Sequence, residues 1–256
     1  MFVSRDHALQ QMLYYCRTHS PTSTTVRCRY RPYRFEPTPT QPTQPTQPTQ
    51  PTQPTQPTQP LNTSKTRVTV LKEDTLVVAS RLQNPMVLIL ADDERPGGCV
   101  YAGGGMQEES IFRRTALFSH LTPDMYPIHN NEALYAPDVA VLLDSEEHDY
   151  VPFKTPKSMS FIACPGVKMP ALLYGRLYPA DTEILKNKIR LIFQVAIQNG
   201  HKNIVLGALG CGVYGCPSQH VAEIFHEVIL EYDGEVEHVY FAILGALADI
   251  WRPVFT

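Results

Sequence analysis

A proline repeat near the start of the 256-residue chain restricts where a folded core can lie. Seven consecutive Pro-Thr-Gln units fill residues 39–59, within a segment, 37–60, composed of these three residue types. A proline at every third position removes backbone donors and favours an extended polyproline II conformation. Because this segment offers no apolar face to bury, we interpret residues 37–60 as a solvated linker. The remaining residues, 61–256, have the length of a single compact domain.

The first 36 residues are rich in arginine and contain no lysine and only two acidic residues. The six arginines are Arg5, Arg17, Arg27, Arg29, Arg31 and Arg34. This composition is typical of a basic arm that contacts nucleic acid or an acidic partner, of an organelle presequence, or of a tail without a specific partner. We interpret residues 1–36 as a disordered tail and expect residues 1–60 to be dispensable for folding and ligand binding.

Hydropathy and cysteine content indicate an intracellular protein, in the cytoplasm or the nucleus. Residues 1–20 lack an apolar signal-peptide region, and no run of 18 apolar residues predicts a membrane span. Six cysteines scattered through a long chain are typical of a reducing compartment. Cys211, Cys216 and His220 match no strong zinc spacing, so we expect no metal and no cofactor. The net charge of −3 indicates no class of partner.

Hydrophobic patterning predicts strands that alternate with helices. Apolar or β-branched runs predict strands at 67–71, 86–90, 139–143, 160–164, 203–209 and 238–244. Apolar residues at helical spacing predict helices within 73–82, 107–119, 185–200 and 221–229. The run 86–90 is apolar throughout, as expected for a strand covered on both faces. This alternation predicts an α/β sandwich with helices on both faces of the sheet.

Two glycine-rich loops each connect a predicted strand to a predicted helix, at residues 97–106 and 210–215. Ligands of open α/β sheets bind at such strand ends, and bare backbone amides beside a helix N-terminus bind anions. Neither loop has the Gly-Lys-Ser/Thr of a P-loop, and no G-x-G-x-x-G follows a first strand. The pair of loops is typical of a diphosphate site, with tight turns that bind no ligand as the alternative.

Glu108 and Glu109 follow the first loop directly, in the first turn of a predicted helix. Adjacent positions on a helix are about 100° apart, so the two carboxylates cannot point at the same atom. A helix N-terminus favours the ionised form of a carboxyl, whereas an apolar pocket favours the neutral form. Such opposition produces glutamates suited to acid–base catalysis, while the simpler interpretation is that both residues cap the helix.

These residues resemble a known family. Gly97, Gly98 and Cys99, then seven residues, then Gln107-Glu108-Glu109 are similar to the catalytic loop of macrodomain poly(ADP-ribose) glycohydrolases, above all the microbial type. The stretch LGALGCGVYG, 206–215, resembles the diphosphate loop of that family. Three flanking segments, EDTLVVA, LYAPDVAVL and SFIACPGVKMP, also occur in the family order, and the resemblance covers roughly residues 66–245. It implies a three-layer α/β/α sandwich with a mixed central sheet.

The resemblance also implies an activity and roles for individual residues. The implied activity is hydrolysis of O-glycosidic ribose bonds in poly(ADP-ribose) or ADP-ribosyl groups on modified proteins. Apart from the resemblance, we expect a monomer that contacts no membrane. Glu109 would be the general acid and base, Glu108 would bind the ribose hydroxyls, and Tyr214 would pack over the distal ribose. The other residues that the resemblance places at the ligand are Gly97, Gly98, Gly104, Gly105, Gln107, Gly210, Cys211, Gly212, Val213 and Gly215.

Two positions depart from the family pattern. Cys99 stands where the family has a third glycine, and Ile89 stands where it usually has an asparagine that contacts the distal ribose. Asp92 and Asp93 are both candidates to replace that asparagine. A binding module that recognises ADP-ribose without hydrolysing it, and an unrelated nucleotide-binding scaffold, are therefore the alternatives to an enzyme.

Overall fold

The computed structural model describes residues 4–30 and 65–256. The predicted Pro-Thr-Gln linker, 37–60, lies outside the described residues. Within them, no helix has the length and apolar character needed to cross a membrane.

Helices and strands alternate along the described chain. The helices are α1 Arg5–Thr18, α2 Thr75–Ala79, α3 Gln107–Arg114, α4 Pro179–Gln198, α5 Ser218–Glu231 and α6 Leu247–Trp251. The strands are β1 Val26–Arg29, β2 Arg67–Leu71, β3 Pro85–Leu90, β4 Glu132–Leu143, β5 Pro152–Cys164, β6 Leu172–Leu173, β7 Arg176–Leu177, β8 Asn203–Leu206 and β9 His238–Ala242.

A seven-stranded mixed sheet with the order β1-β4-β5-β3-β8-β9-β2 forms the middle layer. The five strands from β5 to β2 in this order are parallel to one another, whereas β1–β4 and β4–β5 pair antiparallel. One face packs against α4, α5 and α6, and the other packs against α1, α2 and α3. The three-layer α/β/α sandwich predicted from the sequence is therefore confirmed.

The central strand β3 explains why its sequence is apolar at every position. Met86 and Leu88 belong to the core beneath α4 and α5, and Val87 and Ile89 belong to the core beneath α2 and α3. All four side chains are fully buried. Successive side chains of a strand point to opposite faces, so a strand between two helical layers needs apolar residues throughout.

Three elements end earlier than their apolar patterns indicate. The helix predicted within 107–119 ends at Arg114, because Thr115 is extended and forms a β-bridge with Val141 before a short 3₁₀ turn at Ala116–Ser119. The strand predicted at 203–209 ends at Leu206, where the glycine-rich loop begins, and the last strand ends at Ala242. Apolar residues continue past the first two ends because Leu117, Ala208 and Leu209 are also buried, whereas Leu244, beyond the last strand, is exposed.

The prediction that 1–36 form a disordered tail is wrong for residues 4–30, which form a helix and a strand, while residues 1–3 and 31–36 lie outside the described residues. Ser4 caps α1, its Oγ accepting from the His7 backbone N–H at 3.2 Å, and Ala8, Leu9 and Met12 are buried against the domain. β1 adds an antiparallel strand to β4 at the sheet edge. This part of the segment folds because it supplies one apolar helix face and one edge strand. The prediction of disorder rested on the arginine content and did not consider this apolar pattern.

Two of the arginines in this segment are engaged inside the fold. Arg27 and Arg29 both donate to the carboxylate of Glu132, which is buried on β4. Burial raises the pKa of Glu132, but the hydrogen bonds from Arg29 and Arg27 outweigh it and hold that pKa below its ordinary value. These guanidinium groups join β1 to the sheet instead of forming a free basic surface.

We therefore expect residues 4–30 to contribute to stability. Leu9→Ala should lower the free energy of unfolding by ~2–5 kcal/mol, the range for truncating a buried leucine, because Leu9 is only 4% exposed. Tyr14→Ala on the same helix is the matched control, since Tyr14 is 70% exposed, and should change stability by less than about 0.5 kcal/mol. Urea unfolding of both variants measures the difference, and equal stabilities would mean that α1 does not dock in solution.

Candidate active site

A cleft of about 180 Å³ lies where the C-terminal end of β3, the N-terminus of α3 and the loop after β8 meet. Eight of the predicted site residues line it: Gly98, Gln107, Glu108, Glu109, Gly210, Gly212, Val213 and Tyr214. The other predicted residues, Gly97, Gly104, Gly105, Cys211 and Gly215, are close in sequence but outside the lining. The two glycine-rich loops, more than 100 residues apart in the chain, thus face one cavity.

Glu108 is held by two backbone donors of the segment between β3 and α3. The Asp92 N–H donates to Oε2 at 2.7 Å, and the Gly97 N–H donates to Oε1 at 3.1 Å. Burial raises the pKa of the Glu108 carboxyl to about 8, and the charges of Glu109 and Asp92 act in the same direction, against the two backbone hydrogen bonds. Both oxygens are fixed in place, which suits a residue that orients a sugar.

Glu109 is also buried but has one oxygen without a partner. The Cys99 N–H donates to Oε1 at 3.0 Å. Oε2 has no hydrogen-bond partner among the described residues, although it is shielded from solvent. Buried polar atoms are nearly always paired, so an unpaired carboxylate oxygen beside a cleft indicates a place for a ligand group. The two adjacent glutamates therefore differ in what they can do.

Gly98 is the residue that makes room for both carboxylates. Its φ of +51° lies in the left-handed region that favours glycine. A Cβ at this position would be 2.8 Å from Glu109 Oε1 and 3.0 Å from Glu108 Oε2. The glycine is therefore required twice, by its backbone conformation and by the close approach of the glutamates.

Gln107 positions the start of α3 on the sheet. Its Nε2 donates to the Leu88 carbonyl at 2.8 Å, and its Oε1 accepts from the Leu90 N–H at 2.9 Å. The side-chain amide thus continues the hydrogen bonding of β3 and holds the following glutamates at the end of that strand. The resemblance placed Gln107 at the ligand, and the geometry shows it at the cleft wall with its amide engaged by backbone.

Gly104 and Gly105 lie on the side of the first loop that faces α1 and α3. Arg5 on α1 donates to the Gly103 carbonyl at 3.2 Å, and a Cβ at Gly105 would be 2.6 Å from the Arg5 guanidinium. Arg113 donates to the carbonyls of Gly104 and Val100. Two guanidinium groups therefore hold this loop, one of them from the N-terminal helix.

The second loop forms the opposite wall of the cleft. Gly210 has a φ of +77°, and it packs so closely on Gly166 that a Cβ at Gly166 would be 2.6 Å from the Gly210 Cα. Gly166 also lines the cleft but is absent from the sequence-based site. The available signal was its position two residues after β5, whose C-terminal half is buried and ends at the same sheet edge.

Tyr214 connects the second glycine-rich loop to the turn that follows β3. Its hydroxyl donates to Asp93 Oδ1 at 2.9 Å and accepts from the Asp93 N–H at 3.1 Å. Lys168 also donates to Asp93 Oδ1, at 2.8 Å. The tyrosine ring thus forms part of the cavity wall while its hydroxyl fixes the turn after β3.

The two departures from the family pattern occupy different surroundings. Ile89 is fully buried on the sheet face that α2 and α3 cover, outside the cleft lining. Asp92, not Asp93, lines the cleft, and its Oδ1 accepts from the N–H groups of Glu94 and Arg95 at 2.8 and 3.1 Å. Cys99 is exposed at the cleft and contributes its backbone N–H to Glu109.

The cysteines of the second loop have the properties of packing residues. Burial raises the pKa of the Cys211 thiol to about 12 and that of the Cys216 thiol to about 11, which disfavours the nucleophilic thiolate. His220 is buried on α5, and its Nδ1 accepts from the Leu177 N–H at 3.0 Å. Across residues 4–30 and 65–256, no group of three or more potential ligands is placed to hold a metal ion.

The raised pKa of Glu108 predicts a pH dependence of stability. Between the ordinary carboxyl pKa of 4.5 and about 8, the unfolded chain ionises this group while the folded protein keeps its proton. The contribution of Glu108 to the free energy of unfolding therefore falls as pH rises through this window and is level above it. Glu108→Gln cannot ionise and should lack this fall.

Denaturant unfolding at about pH 5 and about pH 8 measures this effect. Wild type should lose stability relative to Glu108→Gln between the two conditions. Glu147→Gln, a substitution at an exposed glutamate, is the matched control and should follow wild type. A constant difference between wild type and Glu108→Gln would contradict the predicted titration.

Comparison with known families gives matches to both halves of the site. Residues 30–144 match the family described as microbial-type PARG, catalytic domain, and residues 174–225 match the Macro domain family. The first range contains the paired glutamates, and the second contains the loop at 210–215. An uncharacterized protein of Thermococcus kodakarensis is 38% identical over 73 residues, which are 27% of this chain and 41% of that relative.

Solved structures with the same architecture include bacterial poly(ADP-ribose) glycohydrolases. A variant of the Thermomonospora curvata enzyme is 27% identical, with a TM-score of 0.68 over 74% of this chain and 79% of that chain. The Deinococcus radiodurans enzyme in complex with ADP-ribose is 26% identical, with a TM-score of 0.66 over 74% and 84%. A further Thermomonospora curvata structure aligns over 98% and 99%, at 21% identity and a TM-score of 0.76, and shows the shared fold.

Proposed function

Because the chain belongs to the microbial-type poly(ADP-ribose) glycohydrolase family, with a macrodomain fold, we propose that it is an ADP-ribose-binding glycohydrolase. Its substrates are poly(ADP-ribose) or ADP-ribosyl groups on modified proteins, and it hydrolyses their O-glycosidic ribose bonds. One observation carries the proposal: in the buried Glu109 carboxylate, the Cys99 N–H fixes one oxygen, and the other, at the cleft, has no partner among the described residues.

The unpaired oxygen supports a role for Glu109 as general acid and base. As the bond between the anomeric carbon and the leaving oxygen breaks, Glu109 gives its proton to that oxygen. It then takes a proton from a water molecule, whose oxygen forms the new bond to the anomeric carbon. One positioned carboxyl can serve both steps, because the proton given in the first is recovered in the second.

Glu108 acts as the residue that holds the sugar. Its oxygens already accept from the N–H groups of Asp92 and Gly97, and the carboxyl keeps hydrogen-bonding capacity for the ribose hydroxyls. The diphosphate lies against the loop 210–215, where Gly210 and Gly212 expose backbone at the cleft. Tyr214 forms the wall beside the distal ribose.

One observation favours a second candidate function, an ADP-ribose-binding module without turnover. Ile89 occupies the position of the family asparagine, and its side chain is fully buried in the core. The side chain at this position therefore supplies no amide to orient the distal ribose, whereas Asp92, three residues further along, is polar and lines the cleft.

Incubation with labelled poly(ADP-ribose), combined with a calorimetric titration of ADP-ribose, tests the proposal. We expect release of ADP-ribose from the chains and saturable binding of the free ligand. Binding without release would support the non-catalytic module instead. Absence of both would overturn the assignment of the cleft as an ADP-ribose site.

Substitution at Gly212 tests the position of the diphosphate. A Cβ at Gly212 would meet only the flexible end of Met106, at 3.3 Å, so Gly212→Val should fold normally. Its side chain would occupy the space into which we place the diphosphate and should weaken ADP-ribose binding at least tenfold, ~1.4 kcal/mol. Calorimetry and a melting temperature together measure this, and unchanged affinity would place the diphosphate elsewhere.

A further inference from the structure

Arg113 lies near the C-terminal end of α3, one helical turn after Glu109. Residues four positions apart lie on the same face of a helix, so both side chains can reach the glycine-rich loop that packs there. Arg113 is only 1% exposed, and it forms no ion pair with any residue that the structure describes. Burial of a charge without an opposite charge beside it is costly, so the contacts that Arg113 does make indicate what it holds.

One nitrogen of the Arg113 guanidinium holds two carbonyl groups of the loop. Nη2 donates to the Val100 carbonyl at 3.3 Å and to the Gly104 carbonyl. Nε and Nη1 are shielded from solvent and have no partner among the described residues. Burial lowers the pKa of the guanidinium, but an arginine still carries its charge in a protein. The two contacts are therefore charge-assisted hydrogen bonds, which are stronger than those between neutral groups.

The same turn of the loop holds the Glu109 side chain. The Cys99 N–H donates to Glu109 Oε1 at 3.0 Å, and the Cys99 carbonyl accepts from the Gly104 N–H, also at 3.0 Å. Gly104 packs on the stem of the glutamate as well, since a Cβ at Gly104 would lie 3.1 Å from Glu109 Cγ. Gly104 therefore links the Arg113 guanidinium, at its carbonyl, to the groups that fix Glu109.

We propose that Arg113 is a positioning residue for the hydrolysis, which holds the loop so that the Cys99 N–H keeps the Glu109 carboxyl aimed at the leaving oxygen. The inference rests on the proposed function and deepens it, because Arg113 lies outside the cleft lining and acts only through the loop. A displacement of about 1 Å at a catalytic group can lower the rate ~10²-fold. A residue that supports the general acid without touching the ligand therefore governs rate and not affinity.

Arg113→Met tests the proposal, because methionine is flexible enough to fill the buried space and donates no hydrogen bond. Its kcat on poly(ADP-ribose) should fall at least about tenfold, while the Kd of ADP-ribose should stay within about twofold of wild type. Arg113→Lys should lie between wild type and Arg113→Met in kcat. Nη2 alone serves both carbonyls, so the ammonium of a lysine can replace it in part. The lysine variant also decides the question if Arg113→Met does not fold, since its kcat should be below that of wild type at unchanged Kd.

Arg114→Met is the matched control, because the neighbouring arginine is equally buried but contacts other parts of the chain. Arg114 is also 1% exposed, and it donates to both carboxylate oxygens of Asp74 at 2.9 Å and to the Leu143 carbonyl at 3.5 Å. This variant should lose stability, measured as melting temperature, but keep the kcat of wild type at a temperature where it is folded. Equal losses of kcat in the two methionine variants, or unchanged kcat in Arg113→Met, would overturn the proposal. A loss of ADP-ribose affinity as large as the loss of kcat would overturn it too, because the cleft itself would then be disturbed.

Hydrogen exchange at the Cys99 and Gly104 amides separates the inference from the proposed function, because it needs no turnover. These N–H groups donate to Glu109 Oε1 and to the Cys99 carbonyl. In Arg113→Met both should exchange about tenfold faster or more than in wild type, whereas Arg114→Met should leave their rates unchanged. Faster exchange would support the link from Arg113 to Glu109 even if wild type hydrolysed nothing. Unchanged exchange would overturn the inference even in an active enzyme.

Discussion

Glu109→Gln should lower the rate of poly(ADP-ribose) hydrolysis by ~10²–10⁴, the usual contribution of a general acid–base group. Its affinity for ADP-ribose should change little. The substituted side chain keeps its shape and an oxygen that accepts from the Cys99 N–H, but its amide cannot cycle a proton. Because Glu109 Oε2 has no partner among the described residues, the substitution breaks no internal hydrogen bond of the folded protein.

Single-turnover hydrolysis and ADP-ribose calorimetry measure the two halves of this prediction. Glu108→Gln is the informative comparison, because both Glu108 oxygens accept backbone N–H groups. An amide nitrogen in place of one oxygen would face a donor with a donor, so this variant should lose affinity as well as rate. Full activity of Glu109→Gln would refute the assigned mechanism, and an equal loss of affinity in both variants would remove the distinction between their roles.

The paired glutamates illustrate what residue patterns predict well. An apolar strand, a glycine-rich loop and a helix start are local features, and each has its own signature in β3, the loop and α3. Convergence of the two loops also follows from a parallel sheet, whose strand ends lie along one edge. The location of the cleft could therefore be predicted without coordinates.

The different hydrogen-bonding roles of neighbouring side chains could not be predicted from the sequence. Gln107 and Glu109 are two positions apart, yet the Gln107 amide is engaged by the backbone of β3, whereas one Glu109 oxygen has no partner in the part of the chain that the structure describes. These differences depend on side-chain direction relative to the strand ends, which sequence spacing does not specify. The same limit applies to Asp92 and Asp93, of which only the first lines the cleft.

The N-terminal segment shows a different limit. Its arginine content favoured the interpretation as a disordered tail. Composition alone does not show which acidic residues elsewhere in the chain pair with these arginines. Glu132, which pairs with Arg27 and Arg29, is more than 100 residues away. Arg5 likewise contacts the glycine-rich loop from a distance in sequence that no local pattern bridges.

Gly98→Ala should abolish most of the activity while leaving a folded protein. The new Cβ would lie 2.8 Å from Glu109 Oε1 and 3.0 Å from Glu108 Oε2, so both carboxylates have to move. A displacement of about 1 Å at a catalytic group can lower the rate ~10²-fold. We therefore expect a loss of at least ~10² in kcat/KM.

Gly103→Ala is the matched control, because it separates contact from backbone strain. Gly103 has a φ of +78°, also in the left-handed region, but a Cβ there would meet no heavy atom within 4 Å. Both variants should lose ~1–2 kcal/mol of stability from the left-handed conformation, while only Gly98→Ala should lose activity. Equal losses of activity in the two variants would contradict the prediction. Backbone strain, which both variants share, would then account for the loss without any displacement of the glutamates.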